Sequence, residues 1–272
     1  MLQTAVSKRT ETGTEMQEDG EPTVKHPSYP YPVIQEAIIE IGFSLPPEQL
    51  VDPQFFGNFF VEVKDEFPNL QPAPIQPMFN IQFGGTPGAP IPVATVMRYQ
   101  HKSSPILLQL SNSRIVINVL PLYPGWETVL SKIEYAWVRL VKVLSPEVVT
   151  RIALRYINRI ERKDPGETLS RWLNPTDYVP KGVLSSESGF LLSQIRSRID
   201  DVNRIGVVLS EDLQPGSFGA FIFDIERIAE QAVEPTTVSI TNEATRLHDD
   251  IWSVFKEAKS ERLENLLKGV PV

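Results

Sequence analysis

Apolar and polar residues alternate with period two in Val33-Ile-Gln-Glu-Ala-Ile-Ile-Glu-Ile-Gly-Phe43 and again in Arg151-Ile-Ala-Leu-Arg-Tyr-Ile-Asn-Arg-Ile-Glu161, the pattern of strands with one buried face. The two runs are charge-inverted images: Glu36, Ile38 and Glu40 of the first correspond to Arg155, Ile157 and Arg159 of the second. After the first run, Asp52-Pro53 offers an N-cap and a first-turn proline. Phe55, Phe56, Phe59, Phe60 and Val63 then predict a helix that stops before Pro68. A proline-rich connector, Pro68 to Pro77, leads to strands near Met78 to Phe83, Val93 to Gln100, Ile106 to Leu110 and Arg114 to Leu120. Ser111-Asn-Ser113 joins the last two as an antiparallel hairpin. Trp126, Val129, Ile133, Ala136, Trp137, Leu140 and Val141 recur at helical spacing and predict a long helix over Gly125 to Leu144, stopped by Pro146.

The order then repeats. A strand at Val148 to Glu161 is followed by a short helix after Gly166, with Leu169 and Trp172 inward, and by an irregular stretch from Asn174 to Ser188. Strands near Phe190 to Asp200, Arg204 to Ser210 and Gly219 to Ile228 precede a final helix after Thr241, with Leu247, Ile251, Phe255, Leu263, Leu266 and Leu267 as its apolar positions. The fold class this implies is α+β: two pseudo-repeated β-α-β(3–4)-α halves, 31–144 and 145–272, forming one extended antiparallel sheet covered on one face by long helices. Residues 31–272 form a single domain, and residues 1–30, polar and without periodicity, are expected to be a disordered tail. Ile39, Ile41, Phe79, Ile81, Phe83, Ile115, Ile117, Leu154, Tyr156, Ile205, Val207, Phe221, Phe223 and Ile225 are placed toward the helices. Glu36, Glu40, Asn80, Gln82, Gln109, Asn118, Arg155, Arg159, Arg196, Arg198 and Asp224 take the opposite face.

Four segments resemble a sporadically distributed prokaryotic family of similar length whose function is uncharacterised: Pro32-Val-Ile-Gln-Glu-Ala-Ile-Ile-Glu-Ile-Gly-Phe43, Leu154-Arg-Tyr-Ile-Asn-Arg-Ile160, Phe221-Ile-Phe-Asp-Ile225 and Leu247-His-Asp-Asp-Ile251. The resemblance implies a bacterial or archaeal cytoplasmic protein and brings no catalytic residue with it. At the level of fold, the duplicated order is similar to TATA-binding-protein-like and helix-grip arrangements, which license no function by themselves.

Composition narrows the chemistry. The chain has no cysteine, which removes disulfides, thiolate metal sites and cysteine nucleophiles. A net charge of −8 argues against dependence on phosphate-backbone attraction, so nucleic acid is the less favoured partner. Apolar runs fall short of the ~20 residues of a membrane span, and residues 1–21 lack the apolar stretch of a secretory leader. The cytoplasm is the expected location, without membrane association.

Arg155, Arg159, Arg196 and Arg198 are the candidate ligand-binding residues, because guanidinium forks suit phosphate and carboxylate. The competing expectation sets Arg155 and Arg159 against Glu36 and Glu40 as cross-strand ion pairs. His248, Asp249 and Asp250 are consecutive on a helix and fan out, with His26 in the tail and His101 at a strand end. His248 is therefore expected to serve packing or capping, and neither a metal nor a cofactor is expected. Gly84-Gly-Thr-Pro-Gly88 lacks the Lys-Ser/Thr ending of a phosphate loop, and Pro215-Gly-Ser-Phe-Gly219 precedes a strand rather than a helix. The tryptophans default to core packing, with Trp126 at a helix entrance as the exception. The functional expectation is a non-enzymatic binding or interaction protein whose arginine-bearing sheet face receives an anionic small molecule, a protein partner or a second copy of the chain. The alternatives are an enzyme acting on a phosphorylated or carboxylated small molecule, with Asp224 or Glu40 as base, and a nucleic-acid-binding component of a defence or regulatory system.

Overall fold

The computed structural model of the chain describes residues 26–48, 53–72, 96–184, 192–212 and 218–272. In chain order the strands are β1 (Ile34–Ser44), β2 (Asn69–Pro72), β3 (Met97–Gln100), β4 (Ile106–Leu110), β5 (Arg114–Val119), β6 (Val148–Glu161), β7 (Leu192–Arg198), β8 (Asn203–Asp212) and β9 (Ala220–Ala229). The helices are α1 (Phe55–Val63), α2 (Trp126–Val143), the short α3 (Lys181–Leu184), α4 (Thr237–Ala258) and α5 (Glu261–Lys268). Among the described residues, the nine strands join one sheet in the order β2-β3-β4-β5-β1-β6-β9-β8-β7, and each of these pairings is antiparallel. The two alternating runs seen in the sequence, β1 and β6, lie side by side at its centre.

Alternation sorts the side chains. Ile39, Ile41, Ile115, Ile117, Leu154, Tyr156, Ile205, Val207, Phe221, Phe223 and Ile225 are all buried, against Ile133, Trp137 and Leu140 of α2 and Leu247, Ile251 and Phe255 of α4. Each such aliphatic or aromatic side chain withdrawn from water contributes ~1.5–3 kcal/mol. Arg227 is a charged residue on this face. Only 2% exposed, it is satisfied by Asp250 Oδ2 at 2.9 Å, the Arg204 carbonyl at 3.0 Å and the Ile228 carbonyl at 3.1 Å.

Several boundaries differ from expectation. Helix α1 begins at Phe55 behind Gln54, which supplies no side-chain cap; Asp52 lies outside the described residues. Part of the proline-rich connector is an edge strand, with Pro72 paired to Met97 at its end, a position where a missing N–H is tolerated. The final helix is two helices. Thr236 Oγ1 caps α4 by accepting from Ser239 N, several residues before the expected start, and Ser260 Oγ caps α5 by accepting from Leu263 N. The irregular stretch before β7 contains the single turn α3. The strand expected near 78–83, with Phe79, Asn80, Ile81, Gln82 and Phe83, lies outside the described residues, as do the glycine-rich 84–88 and Ser217.

Candidate functional site

The open sheet face carries the four candidate arginines but does not bring them together. Register places Arg155, Glu226, Gly206 and Arg196 in one cross-strand row on β6, β9, β8 and β7. Arg155 and Arg196 are thus three strand spacings apart, ~14 Å. Arg159 lies on the row of Ile222 and Arg198 on that of Arg204 and Ile228, toward opposite ends of the sheet. Each guanidinium is engaged locally. Arg155 binds Asp224 through Nε (2.9 and 3.1 Å) and Nη2 (2.6 Å), and Arg159 pairs with Glu161 and with Asp212. With its amide turned so that oxygen faces the guanidinium, Gln194 accepts from Arg196 Nε and Nη2 at 2.9 and 3.0 Å, and Arg198 donates to the carbonyls of Asp200 and Asp201.

The partners also differ from the expected Glu36 and Glu40. Arg155 stands opposite Ile38 on β1, whereas Glu36 stands opposite Ile157. Arg155 turns instead to β9, and Glu36 accepts from Asn118 Nδ2 at 2.7 Å. Glu40 is held by Arg151 at 2.9 Å and Arg114 at 3.7 Å. The surface is of mixed sign, with its acids and bases interleaved.

A cavity of about 280 Å³ lies on the other side of the sheet, under the helices. Its floor is Tyr156 and Asn158 of β6 and Ile225 of β9; its walls are Trp126 and Leu130 of α2 and Ile251 and Trp252 of α4. Gly125, at φ +94°, turns the chain into α2 in a conformation that side-chain-bearing residues avoid, which places Trp126 at the rim. The segment 26–33 closes one side. Tyr29 Oη donates to Glu264 Oε2 at 2.7 Å, Tyr31 N to the Leu267 carbonyl at 3.2 Å, and Arg159 N to the Val33 carbonyl at 2.7 Å. Residues 26–30, set aside by composition as tail, therefore pack against α4 and α5.

Several polar groups in this lining are fixed by the fold. The Tyr123 and Tyr156 hydroxyls are 2.9 Å apart, and burial raises both phenols, keeping them neutral. Asn158 Nδ2 donates to the Phe223 carbonyl at 3.0 Å. His248 stacks on Trp126 at 4.2 Å between centroids and 7° between planes. His26 lies 5.2 Å from the His248 ring and 5.1 Å from that of Trp252. His26 Nε2 is 2.6 Å from Asp249 Oδ1, and His248 Nδ1 is 3.6 Å from the same oxygen. Burial, with a smaller push from His26, brings the His248 imidazole down to about 4 against the opposing pull of Asp249. Two buried nitrogens in this cluster, His248 Nδ1 and Trp126 Nε1, have no hydrogen-bond partner.

His248 does serve packing, but the structure also gives it neighbours that helical spacing alone hid. His26, His248 and Asp249 each offer a ligand atom within 4.8 Å of the others. Contact between His26 and Asp249 spans 223 positions, and no local periodicity reports it. The partial signals were Trp126 at a helix entrance and the Leu247-His-Asp-Asp-Ile251 segment. Among the described residues, no helix is long and apolar enough to cross a membrane. A scan against protein-family models finds no match to this chain, and neither does a search of curated proteins.

Proposed function

We propose that the chain is a non-enzymatic binding protein that takes a compact, ring-bearing, mainly apolar small molecule into the cavity between the sheet and helices α2 and α4. The observation that carries this is the cavity's construction: about 280 Å³ with Trp126, Leu130, Tyr156, Ile225, Ile251 and Trp252 in its lining, and with polar groups such as Asn158 and His248 at set positions. Ligand sites are typically concave and apolar with a small number of fixed polar groups, and an apolar cavity of ~150 Å³ already accommodates benzene. The ligand surface is thereby moved from the sheet's arginine face to its apolar face. On the open side, Arg155 is committed to Asp224 and Arg159 to Asp212 and Glu161, which weighs against an anion site there. Engagement of Asp224 by Arg155, and of Glu40 by Arg151, likewise weighs against either carboxylate as a general base. Interleaved charge weighs against nucleic acid.

The architecture is read as a duplication, TATA-binding-protein-like or helix-grip-like, located in a prokaryotic cytoplasm. Its support is the strand order: β1 and β6 meet at the centre, and β5, β4 and β3 run outward from one as β9, β8 and β7 do from the other.

The test is a titration with 2-naphthol followed by its own fluorescence and by calorimetry. Saturable one-to-one binding is expected, weakened at least tenfold by Leu130→Trp, which fills the cavity, and unchanged by Arg155→Met on the opposite face. Absence of saturable binding, or equal binding by Leu130→Trp, would overturn the proposal.

A further inference from the structure

We infer that His26, His248 and Asp249 form a binding site for a divalent transition-metal ion at the rim of the cavity, joining the segment before β1 to helix α4. Three observations point there. The first is proximity across the chain: two imidazoles and a carboxylate, from segments 222 and 223 positions apart, place ligand atoms within 4.8 Å of one another. The second is an imbalance that hydrogen bonding leaves behind. The contact of 2.6 Å between His26 Nε2 and Asp249 Oδ1 satisfies those two atoms. It leaves His248 Nδ1 buried, without a partner, 3.6 Å from the same oxygen. A buried nitrogen with no partner is unfavourable, and a metal ion takes a lone pair from all three groups at once. The third is rigidity. Trp126 stacks on His248, and Trp252 lies against His26, so both rings are held before any ion arrives.

The spacing is close to what such an ion needs. In a tetrahedral site with bonds of ~2.0–2.1 Å, neighbouring ligand atoms stand ~3.3 Å apart. The His248–Asp249 separation of 3.6 Å has to close by ~0.3 Å, the shorter His26 contact to open by ~0.7 Å, and the His26–His248 pair, within 4.8 Å, to close by up to ~1.5 Å. Two imidazoles and one carboxylate suit zinc, cobalt, nickel or copper and disfavour magnesium and calcium, which prefer all-oxygen sites. Asp249 is 40% exposed at its side chain, which gives the ion a route from solvent. All three residues also line the cavity, so a remaining coordination position opens toward it. The site does not depend on an organic ligand being bound.

The chain supplies its own control, because its three histidines are His26, His101 and His248. His101 lies apart, at the end of β3, with its Nδ1 accepting from the N–H groups of Ser103 and Ser104. Full-length protein, stripped with chelator, is titrated with Zn²⁺ by calorimetry and with Co²⁺ by visible absorption. One ion per chain is expected, with the intense absorption of low-coordinate cobalt and no heat from Mg²⁺ or Ca²⁺. His26→Ala should weaken Zn²⁺ binding at least tenfold, and His101→Gln should leave it unchanged. Asp249→Asn, half-exposed and mild, gives the same readout where His248→Ala fails to fold. Absence of saturable Zn²⁺ binding, retention of full affinity by both His26→Ala and Asp249→Asn, or loss of binding on His101→Gln would overturn the site. Naphthol binding is scored separately, so either result can fail while the other holds.

Discussion

Replacing Arg155 by methionine tests whether that side chain is a structural partner or a spare binding group. Asp224 sits with its side chain 7% exposed under a guanidinium that is itself 42% exposed. Three contacts of 2.6 to 3.1 Å tie them together. Hydrogen bonds to charged groups contribute ~1.5–3 kcal/mol, and stranding one member of a buried pair costs ~3–5 kcal/mol. Because water reaches the space that Arg155 vacates, the expectation is discounted to about 2–3 kcal/mol. The reverse change, Asp224→Val, leaves a half-exposed cation that can turn to solvent or toward Glu226 and Glu36, whose charges already favour it, and should cost about 1 kcal/mol. Asp224→Val together with Arg155→Met puts apolar groups beside Ile157 and Val208, its cross-strand neighbours. That double variant should recover most of the loss, giving a coupling of ~1.5–3 kcal/mol in the cycle. Urea denaturation at neutral pH, followed by circular dichroism and tryptophan fluorescence, measures all three. Costs below ~0.5 kcal/mol for Arg155→Met, in the range of an ordinary surface change, would show that the pair does not hold the sheet and would return Arg155 to the list of candidate binding groups.

Two further changes probe the segment before β1 and the C-terminal helix it rests on. For Glu264, burial works to raise the carboxyl, but hydrogen bonds from Lys259, Lys268 and Tyr29 outweigh it and bring it from 4.5 down to about 2. A depressed folded value means stability that is complete above the unfolded value and lost as pH falls through the folded one. The urea midpoint of the wild type should therefore exceed that of Glu264→Gln near neutrality, and the gap should close between about pH 4.5 and 2; a gap that widens toward acid would refute it. Gly269 ends α5 at φ +75°, and an added Cβ would run into the Tyr31 ring. Gly269→Ala should cost ~1 kcal/mol through the left-handed cap, with little extra because Tyr31 is 62% exposed and free to swing. A cost near zero in thermal denaturation would contradict the cap.

The sheet was legible because its information is local. Val33 to Phe43 and Arg151 to Glu161 alternate over most of their length, and a period of two fixes which side chains share a face before any partner strand is known. Ile39, Leu154 and Tyr156 fall inward and Glu36, Arg155 and Asp224 outward for that reason alone. Pairing across the face was not legible. Whether Arg155 meets Glu36 or Asp224 depends on the register of β6 against β1 and β9, which alternation leaves free by steps of two. The break between α4 and α5 was hidden because Leu263, Leu266 and Leu267 continue an apolar pattern past Ala258, while Ser260 as a cap is a single residue. Strand β2 was hidden behind prolines that an edge position tolerates.

The same distinction explains why the charged face drew attention and the cavity did not. Arginines spaced along a strand are conspicuous in sequence, yet antiparallel neighbours bearing acids neutralise them, as Asp224 does for Arg155 and Glu40 for Arg151. Such cross-strand pairing is what an exposed sheet face requires to stay soluble and in register. The cavity instead arises where packing is interrupted. Three helix positions with aromatic or basic rings, Trp126, His248 and Trp252, come together only when α2, α4 and the segment before β1 converge on Tyr156 and Ile225. Each of these residues has an ordinary packing explanation by itself. Their conjunction leaves space, and a nitrogen on His248 that the fold does not satisfy. Interiors are close-packed and buried polar atoms are paired as a rule. A place where both rules lapse together is therefore a stronger pointer to function than any single arginine on a strand.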